Sequence, residues 1–368
     1  MNKKLLMSLI LGALLSGAAL YLAFRNVPVV ELLSYLKSIN YWWIGPTVIL
    51  VLASFVLRVV RWQIILRQAG VVTYWRAFHP LMIGFMMNCV LPGRIGELAR
   101  PIILKKNENI PVATGLGTVA AERVFDFITL IGLLVLISGT IAGRPDLTVE
   151  CFGVRLTSQR LTAAAWMMVS SSIALLLFLA LIAVPGSRRL IKGIILSLTR
   201  PLSSGNRSAG RFVRRLTDFF LNLIDNFAVG LMMVQNPGRL LSCVGLTILI
   251  WGLSALIYPV FALGCPGISL NMTGWITVMV VICFFIALPS VPGFWGLWEA
   301  AGVFAMALFG VSEKDALGFT LANHAAQVFP VIAVGLTSAW LTSVNILRLS
   351  SNDGSRSKIQ SDTRERQS

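Results

Sequence analysis

The sequence predicts an all-α polytopic membrane protein with about six spanning helices and two opposed re-entrant hairpins in an inverted repeat. Three observations carry that prediction. Of 368 residues, 56% are hydrophobic and only 12% charged, against roughly 25% charged in soluble chains; a water-soluble enzyme is excluded. The apolar residues fall in runs of the roughly 20 residues that a bilayer span needs. Two of the runs are interrupted by the same Pro-Gly-x-x-Gly pattern.

Taken in order, the first run, 5–24, follows Lys3 and Lys4. It is too long for a typical signal-peptide core and no small-residue cleavage site follows it, so it reads as an uncleaved signal anchor. Unbroken runs follow at 41–64, 113–142, 161–184, 240–263 and 316–346. The run 77–104 is broken at Pro92, Gly93 and Gly96 in VLPGRIGEL, and 275–310 at Pro292, Gly293 and Gly296 in SVPGFWGLWE. Proline removes a backbone donor and glycine permits a bend, so a helix opens there. Backbone groups freed inside hydrocarbon must face protein or a water-filled cavity, and each break therefore implies an internal polar site. Each broken run is flanked by two long helices, which sets half one at 41–142 and half two at 240–346 within a membrane domain covering 1–349. Inverted repeats with broken helices are a recurrent transporter design.

Between the halves, 186–238 reads as an amphipathic cytoplasmic connector. Phe212, Leu216, Phe219, Phe220, Leu223, Ile224, Phe227 and Leu231 form a helical stripe with polar residues opposite. Such a stripe suits an in-plane helix on the inner leaflet, or a helix that docks a soluble partner. The segment 350–368 is polar, lacks apolar periodicity and reads as a disordered cytoplasmic tail.

Lys and Arg number 31 against 15 Asp and Glu, a net charge of +16. In a soluble chain this would point to nucleic acid; here no nucleic acid is required. Arg58, Arg61, Arg67, Arg76 and the basic stretch 188–215 fall at or beyond one membrane face if both termini are cytoplasmic, while the three Arg of 143–160 are offset by Asp146 and Glu150. That is the positive-inside pattern of an inner (plasma) membrane protein. The assignment requires each broken run to leave and return on one side. They read as re-entrant hairpins, 77–104 from the cytoplasm and 275–310 from outside, with two ordinary spans per run as the alternative, for which limbs of about 10–17 residues are short.

Charges within the apolar runs are Arg94, Glu97, Arg100, Glu122, Arg123, Asp126 and Glu299. Each costs roughly 2.5–3.5 kcal/mol at a helix centre, so they should be paired and face inward. A helix after Gly93 puts Arg94, Glu97 and Arg100 on one face, with Glu122 and Asp126 sharing a face of the next helix. Cross-helix pairs of Arg94 or Arg100 with Glu122 or Asp126 then lock the hairpin, or surplus guanidinium binds an anionic head group. Glu299 has no sequence-local cation. It is a protonatable candidate, with a distant Arg partner or solvation at the outer mouth as the plainer readings. His324, in NHAAQVFP, is expected to hydrogen-bond to a neighbouring helix, with ligand or proton binding as the alternative. Arg58 and Arg61, in LRVVRW, are expected to snorkel to the interface or to contact head groups. His79 reads as interfacial.

Five cysteines occur without a CxxC pair, and neither HExxH nor a Walker motif appears, so no metal or cofactor is expected. Cys151 and Cys265 read as independent apolar cysteines, with a disulfide as the alternative.

The segments LRVVRW, NCVLPGRIGELARP, AERVFD and PSVPGFWGLWEA resemble those of flippase-like membrane proteins related to the membrane region of lysylphosphatidylglycerol synthases. The resemblance runs from about Leu57 to Leu341 and implies a lipid-handling integral protein with Arg94, Glu97, Arg100, Glu122, Arg123, Asp126 and Glu299 at matching positions. About 20 polar residues follow the last helix, so no counterpart of the synthase's aminoacyl-transfer domain is expected, and lipid aminoacylation is not implied. Where many relatives carry Tyr-Arg in the last long helix, this chain has Asn323-His324, which changes the charge offered to a substrate.

The expected function is therefore movement of an amphipathic membrane lipid between leaflets. The cargoes considered are an aminoacylated or anionic phospholipid, a polyprenyl phosphate and a hopanoid-like lipid. The substrate-binding set comprises Arg58, Arg61, Arg94, Glu97, Arg100, Glu122, Arg123, Asp126, Glu299 and His324, with no catalytic residues. Two other readings are an intramembrane lipid-modifying transferase using Glu97 or Glu122 as base, and a scaffold that recruits lipid-synthesis enzymes through 188–231.

Overall fold

The computed structural model describes residues 3–91, 94–142, 148–151, 154–183, 185–203, 236–288 and 291–342, with scattered positions between 210 and 221. Its helices follow the apolar runs closely. They are α1 (Lys3–Phe24), α2 (Val29–Ser38), α3 (Ile44–Leu66), α4 (Tyr74–Val90), α5 (Gly96–Glu108), α6 (Val112–Ala142), α7 (Ser158–Ala183) and α8 (Pro185–Ser203). After the connector come α9 (Pro237–Ala262), α10 (Met272–Ile286), α11 (Leu297–Ala307) and α12 (Glu313–Leu341). Local signals explain the starts in the second run. Asn236 accepts the Arg239 N–H ahead of Pro237 at α9, Asn271 caps α10 through Gly274 N–H, and Ser312 caps α12 through Asp315 N–H. Such caps satisfy donors that a helix start leaves orphaned.

Among the described residues, three helices are long and apolar enough to cross a membrane: Tyr41–Leu66, Pro237–Ala262 and Glu313–Leu341. A fourth arises if Gly12–Phe24 and Val29–Ser38, bent by 81°, count as one span. The protein is membrane-embedded.

Both broken runs are two helices with a non-helical link. α4 ends at Val90 and α5 begins at Gly96; Pro92 and Gly93 lie outside the described residues. α10 ends at Ile286 and α11 begins at Leu297, with a 3-10 turn over Pro292–Phe294 between them. The residue after each Pro-Gly adopts a left-handed backbone, Arg94 at φ 54° and Phe294 at φ 64°, a conformation uncommon outside glycine. Gly293 at φ 73° and Gly296 at φ 91° occupy the same region, where an L side chain is strained.

The packing of the two four-helix runs is matched. α3 lies along α9; α4 packs on α12 as α10 packs on α6; α4 pairs with α5 as α10 with α11; and α5 meets α6 as α11 meets α12. α1 lies outside this set and packs on α11.

Two features depart from the sequence reading. The chain is not wholly helical: Thr148–Cys151 and Val154–Thr157 pair antiparallel, with Glu150 opposite Arg155. β-branched residues suit such a ladder. The short ribbon was missed because it lies in a polar interval between apolar runs. Between the apolar runs 5–24 and 41–64, where the sequence reading placed no helix, α2 buries Leu32 and Tyr35. Cys265 is a free thiol, pushed up to about 12 by burial. Most of the stripe 211–231 and all of the tail 350–368 lie outside the described residues.

Candidate functional site

Asp126, on α6, is the hub of the interior charges. Arg61 of α3 donates from Nη1 to Asp126 Oδ1 at 2.7 Å and to Thr247 Oγ1 of α9 at 2.9 Å. Thr247 in turn donates to the Cys243 carbonyl. Arg123 and Arg58 approach the second carboxylate oxygen at 3.5 and 4.0 Å, and the Trp251 indole donates to Oδ1 at 3.4 Å. Arg61 is fully buried. The expectation that Arg58 and Arg61 snorkel to the interface is thus corrected. Both turn inward because Asp126 and the polar Thr247 compensate the desolvation that burial imposes.

One turn back on α6, Glu122 pairs with Arg100 of α5 at 2.7 Å, both nearly inaccessible. The Arg100 guanidinium lies 4.1 Å from the centre of the Trp62 ring, a cation–π contact, and the Trp62 indole donates to Thr118 Oγ1 at 3.1 Å. Of the cross-helix pairs considered from the sequence, this is the one that forms. Arg94 does not share the face of Arg100: it precedes α5, is exposed, and donates to the Ile286 carbonyl of α10. The left-handed backbone at Arg94 swings the side chain out of the helical register. Glu97, in the first turn of α5, is partly buried.

Four arginines (58, 61, 100, 123) therefore meet two carboxylates (Glu122, Asp126) in this cluster. Among the described residues, Nε and Nη2 of Arg61, Nε of Arg100 and Nε of Arg123 are buried without a hydrogen-bond partner. Arg123 is 42% exposed along its side chain while Arg61 is inaccessible, so the cluster has an open rim and a closed floor. Unsatisfied guanidinium donors with surplus positive charge suit an oxyanion, above all a phosphate ester.

The second cluster is at the other break. His324 Nδ1 and Glu299 Oε1 are 2.6 Å apart, and His324 Nε2 is 2.9 Å from the Gly293 carbonyl. Glu299 Oε2 accepts the Gly296 N–H at 2.6 Å. Both side chains are fully buried, and His324 lies between Trp295 and Trp298, each 4.3 Å away centre to centre. The partner of Glu299 is therefore a histidine 25 residues on, where a distant arginine had been considered. His324 does hydrogen-bond to its neighbour helix. From α1, Ser16 Oγ accepts the Val291 N–H at 3.1 Å.

The sequence reading missed Trp62, Thr247, Trp251, Trp295 and Trp298. Trp62 had a signal in its adjacency to Arg61, and Thr247 in being a polar residue within an apolar helix. His79 stacks on Trp75 near the start of α4, apart from both clusters. Among the described residues no group of His, Cys, Asp and Glu has the arrangement of a metal site.

The chain matches the family described as lysylphosphatidylglycerol synthase TM region over residues 9–335. It is 26% identical to glycosyltransferase AglD of Haloferax volcanii, covering 92% of this chain and 55% of that protein. It is 38% identical over 64 residues to a UPF0104 membrane protein of Methanocaldococcus jannaschii, covering 17% of this chain and 27% of the relative. The chain thus spans about half the length of the first of these relatives. No solved structure matches it.

Proposed function

The chain belongs to the family of the lysylphosphatidylglycerol synthase TM region, and from that premise we propose that it moves an amphipathic lipid between leaflets of the inner membrane. The phosphate of the lipid is held by the arginines around Glu122 and Asp126. One observation carries this reading: buried guanidinium donors without partners, in a cluster where arginines outnumber carboxylates. A site that merely locked helices together would balance its charges, because uncompensated buried charge is costly.

The path follows from the breaks. With six spans and both termini cytoplasmic, α4–α5 enters as a re-entrant hairpin from the cytoplasm and α10–α11 from outside. The matched contacts of the two four-helix runs support halves 41–142 and 240–346 as an inverted repeat. A head group then passes between the hairpin tips while its acyl or prenyl chains remain in lipid. Irregular backbone at that depth is tolerated where it lines a polar cavity. An anionic phospholipid or a polyprenyl phosphate suits the arginine excess better than a hopanoid-like lipid without phosphate.

A transferase is the second reading, favoured by the name of the glycosyltransferase relative. Glu122 suits it poorly as a base, because its carboxylate is tied to Arg100; Glu97 is the freer carboxylate. Reconstitution into liposomes with labelled lipids separates the two. Head-group exposure no greater than in protein-free vesicles rejects translocation, and product formation on adding a donor lipid selects the transferase. A scaffold acting through 188–231 would survive Arg94→Ala and fail on deletion of that segment.

A further inference from the structure

We propose that Glu299 and His324 form a proton-binding dyad that holds one exchangeable proton and latches the second break to α12. The occupancy follows from the partners. A carbonyl oxygen only accepts, so His324 Nε2, facing the Gly293 carbonyl, must carry a hydrogen. Between Nδ1 and Oε1, 2.6 Å apart, there is room for a single proton. The dyad is therefore carboxylate with imidazolium, or carboxylic acid with neutral imidazole. The two forms have the same composition and no net charge. A second proton is not shared between the two side chains, since Oε1 faces Nδ1 and Oε2 already accepts the Gly296 N–H. Transfer of the shared proton to water leaves a carboxylate and a neutral imidazole with lone pairs opposed, a net charge of −1. In a fully buried site that arrangement is repulsive and unsolvated, and the pair separates.

Separation has a structural consequence because the dyad spans three elements. It joins α12 to the first turn of α11 through Glu299 and to the 3-10 turn through Gly293. Gly293 and Gly296 are held in left-handed backbone that the latch fixes in place.

The cation beside the second break is Arg94, which donates to the Ile286 carbonyl and lies 5.9 Å from the centre of the Phe294 ring; the other charged groups on the packed elements are engaged elsewhere or lie at a distance. Arg58 and Arg61 of α3 are on Asp126, Arg76 of α4 is on Glu108, and Glu150 of β1 lies opposite Arg155. His79 stacks on Trp75, and Glu31 and Lys37 of α2 are exposed. Glu313, Lys314 and Asp315 start α12, Arg239 starts α9, and Lys3 and Lys4 start α1, well before Ser16. Tyr258 of α9 hydrogen-bonds to Gln327, one turn beyond His324, and Cys283 of α10 lies by Tyr258. Trp295 and Trp298 cover the faces of the imidazole, so the proton is occluded in this conformation. On the translocation reading, proton entry or release from one side would gate the second hairpin; the dyad itself does not depend on that reading.

The chain has two histidines, so a His79→Gln protein labelled with 15N-histidine reports His324 alone. The expected spectrum has Nε2 protonated and Nδ1 in a short hydrogen bond. A neutral tautomer protonated at Nδ1 overturns the proposal. Glu299→Gln in that background lets the side-chain amide donate to Nδ1 while its carbonyl oxygen accepts Gly296 N–H, imitating the proton-loaded neutral pair. His324 then carries its hydrogen on Nε2 while Nδ1 accepts from the amide, and the shared proton that the parent can release is absent. Release unchanged by Glu299→Gln also overturns the proposal. In liposomes with an imposed pH difference, lipid transfer by the parent changes when the gradient is reversed, and that by Glu299→Gln does not. Transfer by the parent that ignores the gradient refutes the coupling. A correct spectrum with no transfer under any condition leaves the dyad standing and removes the translocation reading.

Discussion

The Arg94 side chain of the first break donates to the Ile286 carbonyl at the second and lies 5.9 Å from the centre of the Phe294 ring. The two tips therefore meet, although they come from segments nearly 200 residues apart in sequence. If α4–α5 enters from the cytoplasm and α10–α11 from outside, meeting tips divide the membrane into two vestibules. The first prediction follows. A cysteine at Arg94 is modified by a membrane-impermeant thiol reagent from the cytoplasm, and one at Phe294 from outside. Modification of both from one side would refute opposed hairpins while leaving the tip contact intact.

Asp126 is the counter-ion shared by Arg61, Arg123 and Arg58, so its removal strands several buried guanidinium groups at once. Breaking a buried pair costs about 3–5 kcal/mol. Asp126→Asn is expected to lower the thermal unfolding midpoint in detergent sharply. Adding Arg61→Gln restores part of the loss, because the fully buried cation goes with its partner. Additive losses in the double variant would show that the two residues do not stabilise each other.

The helices and both breaks were legible in the sequence because bilayer length and Pro-Gly punctuation are local signals. Which charges meet was not. Opposite signs and three- or four-residue spacing limited the choices for Arg100 and Glu122, but Arg58 and Arg61 come near the end of an apolar run, where snorkelling is the ordinary outcome. What draws them inward is Asp126 on α6 and Thr247 on α9, neither visible as a neighbour until the helices pack. Glu299 and His324 are likewise joined by the packing of α11 on α12. The left-handed backbone at Arg94 is a third such case: helical spacing placed it beside Arg100, and one dihedral angle sent it to the other half.

Gly96 shows a packing requirement at the α4–α5 contact. A Cβ on Gly96 would run into the Gly84 carbonyl oxygen and come within 2.6 Å of Asn88 Oδ1, which accepts the Gly96 N–H. A Cβ on Gly132, on α6, meets nothing within 4 Å. Gly96→Ala is expected to prevent close approach of α4 and α5, reducing the yield of folded protein and lowering its unfolding midpoint. Gly132→Ala is neutral or stabilising by up to about 1 kcal/mol, the helix propensity difference. Equal behaviour of the two variants would mean that the α4–α5 contact is dispensable.

Arg100 tests whether shape or charge alone holds an anionic head group. Its guanidinium is fixed on two sides, by Glu122 at 2.7 Å and by the Trp62 face at 4.1 Å, which leaves Nε as a buried donor in a set direction. Arg100→Lys keeps the charge but loses the planar fork and the stacking surface. If the cluster binds a phosphate ester, that substitution weakens binding of an anionic lipid by about ten-fold, corresponding to roughly 1.4 kcal/mol. Binding of a zwitterionic lipid changes less. Glu122→Gln acts in the opposite sense on charge, raising the local excess by one and strengthening binding of an anionic lipid. Both are read from labelled-lipid binding in detergent at low and moderate ionic strength. Unchanged binding in Arg100→Lys, with folding intact, would remove Arg100 from the head-group site and leave it as a clamp between α5 and α6.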